Sequence, residues 1–266
     1  MVLTATVGGL ARACHPEPTL AVTAGAATLA VAMHRDLRGV VLVGATVLAS
    51  QLAVGWHNDW VDADRDARTG RPDKPIPAGA IARRSVGVAA LAAGLATVAL
   101  SPLSGPAGAL VALTGLAAAL VYNWPVKATV LSVVPYAVSF AALPVFVLVG
   151  RPGAGPPPAW LVAAGALLGA GAHFANALPD LDDDVRTGVR GLPHRIGATP
   201  SAVLAGLLLV TASLLIVTGP PGPPTPVATV GGLAAGAVLV AGGYAGLRGR
   251  PGSRVLFRAA MVAALI

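Results

Sequence analysis

The chain has 266 residues, of which 55% are hydrophobic and 11% charged, and it carries a net charge of +7. Soluble domains carry about 25% charged residues. The deficit, with a mean hydropathy of +0.76, excludes a soluble enzyme, a disordered chain or a nucleic-acid reader and fits a protein lying mostly in lipid. The one cysteine, Cys14, excludes an intrachain disulfide and argues against a thiolate metal site.

A bilayer crossing takes about 20 apolar helical residues. Nine apolar segments are read as helical spans, at residues 20–33, 39–56, 86–100, 107–122, 130–149, 160–178, 202–217, 227–247 and 255–266. The expected fold is all-α: a polytopic membrane protein of about nine transmembrane helices around a central cavity. The first segment follows Arg12, and Ala30-Val31-Ala32 loosely fits a cleavage site. Eight further apolar segments make it an ordinary first helix rather than a signal peptide. The ninth segment is too short to span as written, so either the last helix is truncated or it stops partway. Residues 150–158 and 219–226 are proline-rich turns with almost no charge; proline cannot continue a helix, so these read as short caps on one face of the membrane. The long polar connections are residues 57–84 and 179–199.

Lys and Arg set orientation. With the N-terminus inside, 15 of the 18 basic residues fall on the cytoplasmic side, and only Arg35, Arg38 and Arg151 on the other. The expected location is a cell membrane, here a bacterial inner membrane, crossed many times with the N-terminus and active site cytoplasmic. The positive charge is then a topology signal and not evidence for nucleic acid. The chain reads as one domain, 1–266, of two pseudo-equivalent halves, roughly 1–128 and 129–266.

Nine of the eleven acidic residues lie in two patches, residues 59–73 and 180–184. The first reads His57-Asn58-Asp59-Trp60-Val61-Asp62-Ala63-Asp64-Arg65-Asp66 and directly follows the second span. If that helix continues, Asn58, Asp62 and Asp66 share one face with Asp59 beside them. Like charges at such spacing destabilise a helix unless neutralised. A hard divalent cation with oxygen ligands is the natural neutraliser, and Mg²⁺ is held by carboxylates together with substrate phosphates. The second patch follows the sixth span, and Asn176, Asp180 and Asp184 repeat the spacing. One such patch alone reads equally well as a solvated surface. Two with the same spacing on the same side point to metal ligands, Asn58, Asp59, Asp62 and Asp66 in one set and Asn176, Asp180 and Asp184 in the other, facing a shared cavity. Carboxylates for Mg²⁺ and cations for phosphate oxygens together suit a diphosphate. Arg71 and Lys74 follow the first patch, Lys127 the fourth span, and Arg186, Arg190 and Arg195 the second patch. Arg83, Arg84, Arg248, Arg250 and Arg254 read as topology anchors.

The string Asn58-Asp59-xx-Asp62-xxx-Asp66, followed by a basic proline-rich loop, resembles the first signature of the UbiA superfamily of intramembrane prenyltransferases. Asp180-xxx-Asp184 resembles the second, and Asn123 with Lys127 resembles the short motif between the family's fourth and fifth helices. The loop Val189-Arg190-Gly191-Leu192-Pro193 departs from the family by carrying Arg where Lys is common. The resemblance implies Mg²⁺ as cofactor and transfer of an isoprenoid chain from its allylic diphosphate to a small lipophilic acceptor, aromatic or a quinone precursor. It makes Asp62, Asp66, Asp180, Asp184 and Lys127 the catalytic candidates, and Arg71, Lys74, Asn123, Lys127 and Arg190 the diphosphate binders. The alternatives are a terpene cyclase on the same scaffold, which the 4% aromatic content disfavours, and a cation transporter, whose ionisable groups belong near the bilayer midplane. A phosphoalcohol transferase is disfavoured because its Asp-Gly-xx-Ala-Arg string is absent. His15, His34 and His194 read as interfacial, His57 and His173 as packing residues bordering the motifs, and Trp56, Trp60, Trp124 and Trp160 as interface anchors.

Overall fold

The structure is a computed structural model, and it describes residues 2–70, 74–151, 153–248 and 254–265. The described residues contain helices and turns and no strand. In chain order the helices are α1 (Val2–Ala13), α2 (Pro16–Ala32), α3 (Leu37–Arg68), α4 (Arg83–Leu100), α5 (Gly105–Asn123), α6 (Val133–Val149), α7 (Ala159–Ala177), α8 (Leu181–Arg186), α9 (Leu192–Ile196), α10 (Ala198–Thr218), α11 (Pro226–Arg248) and α12 (Val255–Leu265). Each of the nine expected segments overlaps one helix. Five stretches are long and apolar enough to cross a membrane: Leu37–Arg68, Arg83–Asn123, Ala159–Asp180, Ala198–Thr218 and Pro226–Gly243. Arg83–Asn123 comprises α4 and α5, joined by a 3-10 turn at Ser101–Ser104 that turns the chain at Gly105, φ 83°. The protein is an all-helical, polytopic membrane protein, and among the described residues length and apolarity mark five such stretches. α1, ahead of the first expected span, was not anticipated.

Two compact units divide the chain, Met1–Trp124 with Phe146–Ala154, and Pro125–Val145 with Gly155–Ile266. In the first, α3 packs against α2, α4 and α5. Small side chains allow this: Ala53, Ala93 and Leu116 form one cluster with Leu52, Val54, Trp56 and Leu120 around it. In the second, α7, α10, α11 and α12 pack together, with Phe174, Ala175, Ala205 and Leu256 in one cluster and Leu209, Leu239 and Ala260 in another. Without a hydrophobic drive between helices in lipid, close contact through small residues gives the packing its energy.

The outward faces are apolar. Leu91, Leu110, Leu207, Leu233 and Val240 are exposed, which suits hydrocarbon and not water. Exposed threonines on these helices bond their own backbone: Thr114 donates to Leu110 O, Thr211 to Leu207 O and Thr218 to Leu214 O, each at 2.8 Å. A polar group in lipid has no water to bond, so this self-satisfaction removes its desolvation cost.

Candidate active site

α3 runs unbroken to Arg68, so the first patch is helical as expected and Asn58, Asp62 and Asp66 follow one another at successive turns. Asp59, Asp62 and Asp66 are 3%, 4% and 2% exposed. Buried carboxylates need paired charges or donors, and each has them. Lys74 Nζ donates to Asp59 Oδ1 at 2.6 Å, and His15 Nε2 lies 3.0 Å from the same oxygen. Arg65 donates to Asp62 Oδ2 at 2.9 Å, and its NH2 lies 3.7 Å from Asp66 Oδ1. Asn58 Nδ2 donates to Asp62 Oδ2 at 3.2 Å and to Asn123 Oδ1 at 3.3 Å. Asn123, at the end of α5, donates to Val54 O at 2.9 Å, and its Nδ2 lies 3.2 Å from His57 Nδ1. Asn58, Asp59, Asp62, Asp66, Lys74 and Asn123 are thus brought together in one unit. Arg71 lies outside the described residues.

The second patch is built differently. α7 ends at Ala177, Leu178–Asp180 forms a 3-10 turn, and α8 begins at Leu181. Pro179 is the cause, because it has no N–H to continue the ladder and its ring crowds the preceding turn. The repeated four-residue spacing therefore does not put Asn176, Asp180 and Asp184 on one continuous helical face as they stand. Asn176 Nδ2 donates to Tyr136 Oη at 3.2 Å. Asp184 Oδ2 lies 3.2 Å from His194 Nε2, whose side chain is 4% exposed. His15 and His194, expected at the interface, each also contact a carboxylate of a patch. Asp183 pairs with Arg186.

Lys127 sits on a 3-10 turn at Val126–Ala128 against the loop that carries Arg190, whose residue is exposed. At Gly191 a Cβ would lie 2.5 Å from Lys127 O and 2.9 Å from Ser132 Oγ, so only glycine admits this approach. Ser132 locks the same loop: Leu192 N–H donates to Ser132 Oγ at 2.9 Å, and that oxygen lies 3.0 Å from buried His173 Nε2. Tyr136 packs on His173, with ring centroids 5.1 Å apart, and stacks on Phe140 at 6.1 Å. Trp56 is a brace as well as a span-end residue, since its Nε1 donates to Leu10 O in α1 at 2.9 Å.

The donor set suits Mg²⁺: it is carboxylate and amide oxygen, and in the first unit three buried carboxylates lie against Lys74 and Arg65. Among the described residues no three His, Cys, Asp or Glu side chains are gathered as a ready metal cage. Asp59 Oδ1 contacts Lys74 and His15, and Asp62 and Asp66 both lie against Arg65. The missed residues differ in legibility. Arg65 is three residues from Asp62, and His194 is ten from Asp184. His15 lies 44 residues from Asp59 and has no local signal.

A sequence model of the UbiA prenyltransferase family matches residues 19–262. The chain is 31% identical over 195 residues to the bacteriochlorophyll synthase 33 kDa chain of Cereibacter sphaeroides, a match covering 68% of this chain and 61% of that protein. It is 31% identical over 166 residues to the digeranylgeranylglyceryl phosphate synthase of Pyrococcus abyssi, covering 60% of this chain and 58% of that one. The chain thus spans about three-fifths of the length of these two relatives. Its fold is similar to that of a UbiA homolog from Archaeoglobus fulgidus bound to DMAPP and Mg²⁺, with a TM-score of 0.69, 18% identity and coverage of 96% of this chain and 98% of that one.

Proposed function

The chain belongs to the UbiA prenyltransferase family, and from that premise we propose that it is a Mg²⁺-dependent intramembrane prenyltransferase. It moves an isoprenoid chain from an allylic prenyl diphosphate to a small lipophilic acceptor, aromatic or a quinone precursor. The observation that carries this reading is the burial of Asp59, Asp62 and Asp66, none more than 4% exposed, at the end of a long apolar helix. Carboxylates buried side by side need cationic partners, and Mg²⁺ is held by such carboxylates together with substrate phosphates. Relatives named as bacteriochlorophyll and digeranylgeranylglyceryl phosphate synthases, and the structural likeness to a DMAPP- and Mg²⁺-bound homolog, support the same chemistry.

In this proposal Asp59, Asp62 and Asp66, with Asn58, hold one Mg²⁺, and Asp180 and Asp184, with Asn176, hold the other. Bound Mg²⁺ supplies charge neutralisation to the departing diphosphate. Lys127, Lys74, Arg71, Arg190 and Asn123 bind the remaining diphosphate oxygens. The donor's C1–O bond breaks with its electron pair leaving on the diphosphate. The acceptor's electron pair forms the new bond to C1, and the acceptor releases a proton. The apolar helices exclude water, which would otherwise capture the allylic cation. We place the N-terminus and both carboxylate patches on the cytoplasmic side of a bacterial inner membrane, from the 15-to-3 distribution of basic residues.

The test is purified protein in detergent with DMAPP or geranyl diphosphate and a panel of aromatic, naphthoquinone-precursor, chlorophyllide and glyceryl phosphate acceptors, read by mass spectrometry. A prenylated acceptor that disappears on chelation is expected. An acceptor-free cyclic product would overturn transfer in favour of cyclisation. Asp62→Asn and Asp180→Asn should each cut turnover on the order of 10²–10³-fold, the scale of losing one electrostatic stabiliser of a developing anion, while the folded protein survives. Full activity in either variant refutes its role.

A further inference from the structure

We infer that His15 is a positioning residue for the first metal-binding carboxylate set: its imidazole, carried on the α1–α2 corner, holds Asp59 in the orientation that receives the cation. The inference rests on the proposed metal site. His15 lies ahead of the family-matched region, which begins at residue 19.

Three observations converge on this corner. His15 has φ 54° and ψ 71°, a left-handed backbone that side chains other than glycine rarely adopt. Of the other residues, Asn, Asp and His tolerate it best, and when it occurs it is held by its surroundings. Here the surroundings are explicit. Thr19 Oγ1 donates to Cys14 O at 2.7 Å, and Trp56 Nε1 donates to Leu10 O at 2.9 Å. The corner also sits directly on α3 at Gly55, where a Cβ would lie 2.5 Å from Cys14 O. Gly55 and Asp59 are four residues apart and share one face of α3. Docking the corner on Gly55 therefore delivers the next residue, His15, over Asp59.

The contact itself is selective. His15 Nε2 lies 3.0 Å from Asp59 Oδ1, and Lys74 Nζ reaches the same oxygen at 2.6 Å, so the two nitrogens are 3.3 Å apart. Both partners bond Oδ1, so the carboxylate is held from one side by two nitrogens. Donors behind a ligating carboxylate fix its orientation and tune metal affinity. His15 is part-exposed while Asp59 is 3% exposed, so the imidazole forms the outer wall of an otherwise buried carboxylate.

The experiment uses the full chain in detergent without donor, and measures Mn²⁺ binding, as a stand-in for Mg²⁺, from the electron paramagnetic resonance signal of the free ion. His15→Gly keeps the left-handed backbone and removes the imidazole. It should weaken Mn²⁺ binding about 10- to 100-fold with the metal-free unfolding temperature unchanged or raised. His15→Asn should show the same loss, because its backbone is tolerated but its amide is one bond too short. His15→Gln, whose Nε2 reaches as far as the imidazole Nε2, should recover most of the affinity. Wild-type Mn²⁺ affinity in His15→Gly overturns the inference, as does a fall in affinity that only tracks a fall in unfolding temperature. Asp62→Asn separates the two levels. If it loses Mn²⁺ while His15→Gly does not, only the positioning role fails; if it too binds normally, the metal site fails and this inference with it.

Discussion

At Ser132 one hydroxyl serves two partners, the ring of buried His173 and the backbone N–H of half-buried Leu192. Ser132→Ala leaves both short of a bond, and a buried unsatisfied group costs about 1–3 kcal/mol. The expected result is a lower unfolding temperature in detergent together with a raised KM for the prenyl diphosphate, because the loop freed at Leu192 also carries Arg190 and packs on the Lys127 turn through Gly191. An unchanged KM would mean that the loop is held without Ser132. At the same scale, the first carboxylate set has charge partners from the chain itself. Lys74, Arg65 and His15 lie against the three aspartates, so each charge is buried with a partner rather than alone. Arg65 was legible, being a helical neighbour of Asp62; His15 was not, because the chain between them is two helices long.

Between elements, the two patches share a spacing but not a shape. α3 carries the first carboxylates on one uninterrupted helix, whereas Pro179 ends the α7 ladder and sends Asp180 and Asp184 onto a 3-10 turn and the short α8. The spacing was readable from the chain; the break was signalled by Pro179 itself, since proline disfavours continuation of the helix. Pro179→Ala should let α7 run on into α8. The expected outcome is an unfolding temperature that holds or rises and a turnover that falls, because Asp180 and Asp184 are re-aimed. Retained full turnover would show that the break is not needed. α4 meets α3 through Arg83, which donates to Trp60 O at 3.0 Å and Asp64 Oδ2 at 2.9 Å while lying 5.5 Å from the Trp60 ring centre. This fastens the start of α4 to the end of the motif-bearing helix, a structural use for an arginine expected only as a topology anchor.

For the whole molecule the governing asymmetry is charge. Basic residues gather in the connections that carry the carboxylate patches, and the proline-rich connections have almost none. Cytoplasmic placement of the patches predicts opposite labelling of two engineered cysteines in a Cys14→Ala background. In sealed cells, Ala154→Cys should react with a membrane-impermeant maleimide, and Ala67→Cys should react only after the membrane is opened. The reverse pattern would invert the topology.

Composition and spacing by themselves determined the class of the protein, the helical segments and the two carboxylate sets, because each is a local property of the chain. Apolar runs specify lipid-embedded helices wherever they occur, and residues four apart share a helical face without reference to anything distant. Only the tertiary structure decided which side chains distant in sequence contact those carboxylates. Docking of the α1–α2 corner on Gly55 brings His15 to Asp59, and the Gly191 loop brings His194 to Asp184. These contacts depend on which small residues let two backbones meet, and packing of that kind leaves no periodic mark in the sequence.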